Sequence, residues 1–155
     1  MPQHPLQIRL AQRPDLHAIS RFLADQASPA NAQERQKYVW RNQRTLNHPR
    51  RSTIVAVHQN RVVGAISILK EGGFFSRGNC RVEDLAVHPD YRRRGVATGL
   101  AKAAVDYARQ ERMRRFCFFA PRERKGYYEK LIIALGLSAE AEEDLFGDYV
   151  FSGRL

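Results

Sequence analysis

Residues Val82 to Gly99 read V-E-D-L-A-V-H-P-D-Y-R-R-R-G-V-A-T-G, and few folds accommodate them. An apolar run is stopped by Pro89-Asp90, three arginines and a glycine follow, and an alanine-rich helical pattern begins at Val96. A strand passing through so short a turn into a helix leaves the first helical N–H groups unpaired beside three guanidiniums. That combination is a receptor for an anion with several oxygens, such as a phosphorylated ligand.

The rest of the chain bounds the setting. Its 155 residues, 43% of them hydrophobic, suit one domain spanning 1–155 with one continuous core. The formal charge of +10 biases the surface toward anions without separating nucleic acid from a phosphorylated cofactor. Basic residues are spread over most of the chain, concentrating at Arg50-Arg51, Arg92 to Arg94 and Arg112 to Arg115. A nucleic-acid surface would gather them in one stripe with interleaved aromatics, so nucleic acid is not the expected partner. Cys80 and Cys117 fall in strand-like runs and lack C-x-x-C spacing, which predicts buried, reduced thiols and no metal site. No segment approaches the roughly 20 apolar residues of a membrane span, and the N-terminus has no apolar signal core. A cytoplasmic protein without membrane contact is expected.

Periodicity orders the elements. Leu6 to Leu10 alternates as a short strand, and Pro14-Asp15 opens a helix through Leu16, Ile19, Phe22 and Leu23. After Ser28-Pro29, Asn31 to Leu46 reads as a second helix whose narrow apolar face draws on Tyr38, Val39, Trp40 and Leu46. Thr53 to Val57 and Val62 to Leu69 form a hairpin around Gln59-Asn60, and Cys80 to His88 adds a third antiparallel strand after the break at Glu71-Gly72-Gly73. Val96 to Arg112 is a long helix, Phe116 to Ala120 a buried strand, and Gly126 to Leu135 a helix ended by Gly136. Tyr149 to Phe151 is a last strand after a polar, acidic connection.

The order β-α-α-β-β-β-α-β-α-β, with R-R-R-G-V-A opening the long helix, resembles the GNAT superfamily of N-acetyltransferases over nearly the whole chain. Arg92, Gly95 and Ala97 match the family pattern Q/R-x-x-G-x-G/A, behind a strand ending L-A-V-H-P at Leu85 to Pro89. The resemblance implies an α+β fold of three α/β/α layers, with a mixed, mostly antiparallel central sheet splayed at the cofactor site. It also implies acetyl-CoA as the acetyl donor, with no metal. Gly95, lacking a Cβ, lets the backbone approach a pyrophosphate, and Ala97 obstructs the first helical turn little. The N–H groups of Arg93, Arg94, Gly95, Val96, Ala97 and Thr98 can converge on that anion, while Arg92 contributes mainly to loop structure. A bland reading makes Arg92 to Arg94 a solvated basic turn.

By the same resemblance, Leu85, Ala86 and Val87 present the strand edge that pairs with the pantetheine amides. The Val87 N–H is then the donor to the thioester oxygen, where charge develops. The side chains alone fit a plain core strand equally well.

A lysine-like amine is protonated at pH 7, and freeing its lone pair costs about 4.6 kcal/mol, so a base or water relay is useful. Glu83 is the first candidate, and Asp84 the second because strand alternation points it to the opposite face. Either carboxylate could instead pair with a neighbouring arginine. The departing thiolate needs a proton, and Y-Y-E-K-L at Tyr127 to Leu131 is similar to the family's F/Y-Y-E-K-L pattern. Its second aromatic, Tyr128, is the implied acid, and Tyr127 a packing residue. Two departures stand out: Pro121 occupies the place of a common asparagine, and Ile132 to Leu135 intervene before Gly136-Leu137.

The implied function is transfer of an acetyl group to a primary amine of a small molecule or peptide. The alternative is a GNAT-like acyl-CoA-binding or regulatory domain without turnover. The acceptor surface would draw on 25–38, 71–75 and the acidic segment 140–148. Those carboxylates could attract a cationic amine, or merely balance a basic protein. A C-terminal edge strand at Tyr149, Val150 and Phe151 could pair two subunits into a homodimer.

Overall fold

The computed structural model describes residues 5–72, 78–143 and 147–155. Strand β1 (Gln7–Leu10) leads through a 3-10 turn at Arg13–Asp15 into α1 (Leu16–Gln26) and α2 (Ala32–Leu46). Asn31 caps α2 by accepting from the Glu34 N–H at 2.8 Å, and the Glu34 carboxylate accepts from the Ala30 N–H at 2.6 Å. Strands β2 (Arg51–His58) and β3 (Arg61–Glu71) meet at a turn where Gln59 and Asn60 both take positive φ, 49° and 60°. Such a turn follows the sheet's twist. Then come β4 (Asn79–Val87), α3 (Val96–Gln110), β5 (Arg115–Ala120), α4 (Lys125–Ala134), β6 (Ala139–Glu143) and β7 (Tyr149–Arg154).

The seven strands form one sheet in the order β1-β2-β3-β4-β5-β7-β6, antiparallel except between β4 and β5. Helices α1 and α2 bury Ile19, Phe22 and Leu46 against Val55 and Ala65 on one face. On the other, α3 packs Leu100, Ala101 and Ala104 against Ile54, Ile66 and Val82, within a larger core that also takes Phe118 and Tyr128. The expected three-layer architecture is present.

Two irregularities shape the centre. The β4–β5 ladder runs only from Asn79 opposite Arg115 to Val82 opposite Phe118, so β4 continues to Val87 with its β5-facing edge unpaired among the described residues. The β3–β4 ladder slips at the same level: Ser67 faces Asp84 but Ile68 faces Val82. Glu83 is the extra residue of a β-bulge.

Four readings need correction. The acidic connection contains β6, whose Glu-rich sequence has poor strand propensity and which forms by pairing with β7. Consequently Tyr149 to Phe151 lie between β5 and β6, and β6 is the outer strand. Trp40 is not on the buried face of α2; it is 57% exposed, while Val39 and Leu46 are buried. Burial pushes the Cys80 thiol up to about 12, but Cys117 is only half-buried.

Candidate active site

The turn before α3 is built to present N–H groups. Arg93 (φ 58°) and Gly95 (φ 77°) both occupy the left-handed region, and such turns aim successive amides to one side. The first helical bond joins the Gly99 N–H to the Gly95 carbonyl at 2.9 Å, so the amides of Val96, Ala97 and Thr98 have no intrahelical acceptor. Gly95 offers no side-chain cap, and a Cβ there would meet nothing within 4 Å. Space and donors for an anion coincide at this point. Arg92 holds the turn down: its Nε donates to the Val87 carbonyl at 3.0 Å, and His58 and Tyr91 meet through Nδ1 and the hydroxyl at 2.7 Å.

A cavity of about 550 Å³ opens beside this turn. Leu85, Ala86, Val87, Arg92, Arg93, Gly95, Val96, Ala97 and Thr98 all line it, with Gln26, Tyr91, Arg124, Tyr127 and Tyr128. Arg94 is not among the lining residues; its guanidinium lies over the Tyr91 ring, 5.9 Å from the centroid. Strand geometry also orients the edge. The His88 N–H donates to the Val63 carbonyl of β3 at 2.8 Å, so by alternation the Leu85 and Val87 N–H groups point away from β3, into the splay.

Tyr128 enters from α4. It is 9% exposed, its ring packs 5.8 Å from Phe118 and 5.3 Å from Tyr127, and its hydroxyl has no hydrogen-bond partner among the described residues. Burial, reinforced by Tyr127, raises its pKa above the ordinary value, so the hydroxyl keeps its proton at neutral pH. Tyr127 is 46% exposed and lines the cavity, contrary to the packing role expected of it.

The bulge overturns the expectation that Glu83 and Asp84 face opposite ways. Both reach Arg51 on the α1/α2 side: Glu83 bonds its Nη2, and Asp84 accepts from Nη1 at 3.2 Å. Arg81 also donates to Glu83 at 2.9 Å. Burial opposes ionisation of Glu83, but the Arg81 and Arg51 guanidiniums outweigh it and hold the carboxyl below its usual range. For Asp84 burial dominates, and its carboxyl is raised despite Arg51 and Arg41. Two adjacent carboxyls are thus driven apart in pKa.

Glu83 is outside the cavity beside α3 and lines a second groove, of about 420 Å³, with Trp40, Arg41, Arg44, Thr45, His48, Arg51 and Leu69. The two hollows touch β4 two residues apart, at Glu83 and Leu85, about 7 Å along the strand. The sequence reading did not foresee this groove, and it gave Arg51 only as half of a basic pair. Trp40, Arg41, Arg44 and Thr45 follow one another at helical spacing on α2, a stripe that a helical projection displays, and His48 lies just beyond the helix end. Of the expected acceptor surface, 73–75 and 144–146 lie outside the described residues. Among the described residues no three His, Cys, Asp or Glu side chains converge as a metal site, and no helix is long and apolar enough to cross a membrane.

Comparison with known proteins places this geometry. The sequence model of the acetyltransferase (GNAT) family matches residues 16–131. No curated protein matches the chain in sequence. Among solved structures, the fold is similar to aminoglycoside N-acetyltransferase AAC(6')-Iy in complex with CoA, at TM-score 0.72 and 21% identity over 94% of this chain and 96% of that one. It is also similar to the PaiA N-acetyltransferase of Thermoplasma acidophilum in complex with coenzyme A, at TM-score 0.67 and 11% identity over 97% and 99%. Ribosomal-protein-alanine N-acetyltransferase from Brucella melitensis biovar Abortus 2308 gives TM-score 0.71 and 20% identity over 92% and 98%. With its splayed sheet, its turn of unpaired amides before α3 and a family match over most of its length, the chain belongs to the acetyltransferase (GNAT) family.

Proposed function

We propose that this chain is an acetyl-CoA-dependent N-acetyltransferase that moves an acetyl group to a primary amine by direct attack on the thioester. One observation carries the reading: β4 lends its unpaired edge to one cavity at Leu85–Val87 and, at the bulge just before, Glu83 to another, with Asp84 beside it on the same Arg51. A donor site and a proton acceptor thereby meet on one strand.

Acetyl-CoA, when bound, supplies the activated acyl carbon. The amides of Val96, Ala97 and Thr98, with those of Arg93, Arg94 and Gly95, suit its pyrophosphate, and the α3 dipole adds about 0.3–1 kcal/mol or more. Leu85 and Val87 offer main-chain groups to the pantetheine arm, and the Val87 N–H is the donor aimed where charge develops on the thioester oxygen. Arg92 acts as a positioning residue through Val87. Asp84 is the better proton acceptor of the pair, because its half-exposed carboxyl meets one guanidinium nitrogen at 3.2 Å whereas Glu83 is held between two guanidiniums. Tyr128, protonated and lining the cavity, returns a proton to the thiolate.

Thiol release from acetyl-CoA, measured against a panel of small amines, amino acids and peptides, tests the proposal. Release with at least one amine is expected. Tight coenzyme binding with no release across the panel would leave an acyl-CoA-binding domain instead.

A further inference from the structure

We infer that the groove beside α2 is the acceptor site and that its acceptor is a small zwitterionic amine, one whose skeleton carries a carboxylate or phosphate in addition to the reacting nitrogen. The inference rests on the N-acetyltransferase reading and names the substrate class of that same enzyme.

The groove is polarised. Its β4 end carries Glu83, with Asp84 on the same Arg51, while its α2 wall carries Arg41 and Arg44. Neither Arg41 nor Arg44 has a carboxylate within ion-pair distance among the described residues. Their recorded contacts are with aromatic rings: Arg41 lies 4.8 Å from the Tyr38 centroid and Arg44 4.8 Å from that of Trp40. Three arginines therefore meet two carboxylates, an excess of one positive charge before His48 is counted. An ammonium fits the acidic end and an anion the basic end, which is the charge pattern of a zwitterion.

Arg51 fixes the acidic end of the groove. Its side chain is 6% exposed, its two terminal nitrogens hold Glu83 and Asp84, and its Nε is buried without a hydrogen-bond partner among the described residues. That nitrogen is sealed from solvent and so from a ligand in the groove; Arg51 is committed to the two carboxylates, which leaves Arg41 and Arg44 as the positive charge a ligand meets. The volume, about 420 Å³, suits a ligand of amino-acid size, and Trp40 and Leu69 provide apolar surface for its carbon skeleton. The amine end then lies at the bulge, about 7 Å along β4 from Leu85, where the lining of the coenzyme cavity begins. A purely cationic polyamine would meet Arg41 and Arg44 unfavourably.

Trp40 is the single tryptophan of the chain and lines the groove, so its fluorescence reports occupancy without turnover. The experiment titrates the full chain, with and without CoA, with L-leucine, leucinamide and isoamylamine, with O-phosphoethanolamine and ethanolamine, and with spermidine. Acetylation of each is measured in parallel. The anionic member of at least one set should bind about tenfold to a hundredfold more tightly than its partners lacking the anion, as expected of charge-assisted hydrogen bonds. Whichever set discriminates tells carboxylate from phosphate. Arg44→Ala should erase the difference and raise KM more than it lowers kcat, and Arg44→Lys should restore part of it. Arg44 is exposed on α2, so its loss leaves the fold intact. Equal binding within each set, no binding of any anionic member, or preference for spermidine would overturn the inference. Absence of acetylation beside a retained Trp40 response to anionic amines would instead remove the enzyme reading and leave the binding class standing.

Discussion

Gly95 separates the backbone and charge contributions to the proposed phosphate site. Its φ of 77° lies in the left-handed region, yet a Cβ there meets no atom within 4 Å, so substitution meets conformational strain and no clash. Gly95→Ala should therefore cost about 1–2 kcal/mol of stability, the left-handed penalty of an L residue. At about 2–4 °C per kcal/mol for a chain of this size, the melting temperature should fall by a few degrees. Gly95→Glu carries the same strain and adds a carboxylate where the pyrophosphate is proposed to sit. At about 5 Å, each phosphate charge then costs between about 0.8 and about 3 kcal/mol, depending on whether the local dielectric is nearer water or nearer 20. Two such charges weaken binding by roughly fifteenfold to beyond ten-thousandfold. Calorimetric titration with CoA, alongside thermal melts, reads both effects. The Ala variant should melt lower and bind somewhat more weakly; the Glu variant should melt like it and lose the coenzyme. A Glu variant that binds CoA within about twofold of the parent would refute the assignment of this turn to the pyrophosphate.

Tyr128→Phe should lower kcat by about tenfold or more while leaving CoA affinity and melting temperature nearly unchanged, because the ring fills the same buried space and the hydroxyl has no partner among the described residues. Unaltered turnover would remove Tyr128 from the chemistry. The kcat/KM of the parent should rise with pH through the raised Asp84 carboxyl, since the base must be ionised, and be lost as pH falls through a midpoint above the usual aspartate value. That limb belongs to Asp84 facing Arg51, Glu83 and Arg41, so Asp84→Asn should abolish it, and a variant keeping the full limb would shift the role elsewhere. Beneath the groove, Thr53 and Ser67 share a buried hydroxyl bond of 3.1 Å. Thr53→Val should cost about 1–3 kcal/mol in denaturant unfolding by orphaning Ser67, and adding Ser67→Ala should recover part of it; additive losses would contradict that account.

The turn proposed as the donor half of the site was legible from the sequence because its determinants are local. The strand stop at Pro89, the glycine at the left-handed position and the helix beginning at Val96 lie within one short stretch, and their chemistry is main-chain amides whose direction the turn dictates. The hydrophobic periods of α1, α3 and β2 to β5 likewise encoded their own elements. β6 was not legible, since its glutamates disfavour a strand and only the ladder with β7 makes one. The groove proposed as the acceptor half was decided by the tertiary structure. Strand alternation assigns Glu83 and Asp84 to opposite faces, and a one-residue slip against β3 turns both onto Arg51, which lies more than thirty positions earlier in the chain. That partner, with Arg41 and Arg44 from α2, sets the opposed carboxyl shifts and the polarity of the groove. Such properties arise from burial and distance between remote segments, which residue order alone does not carry.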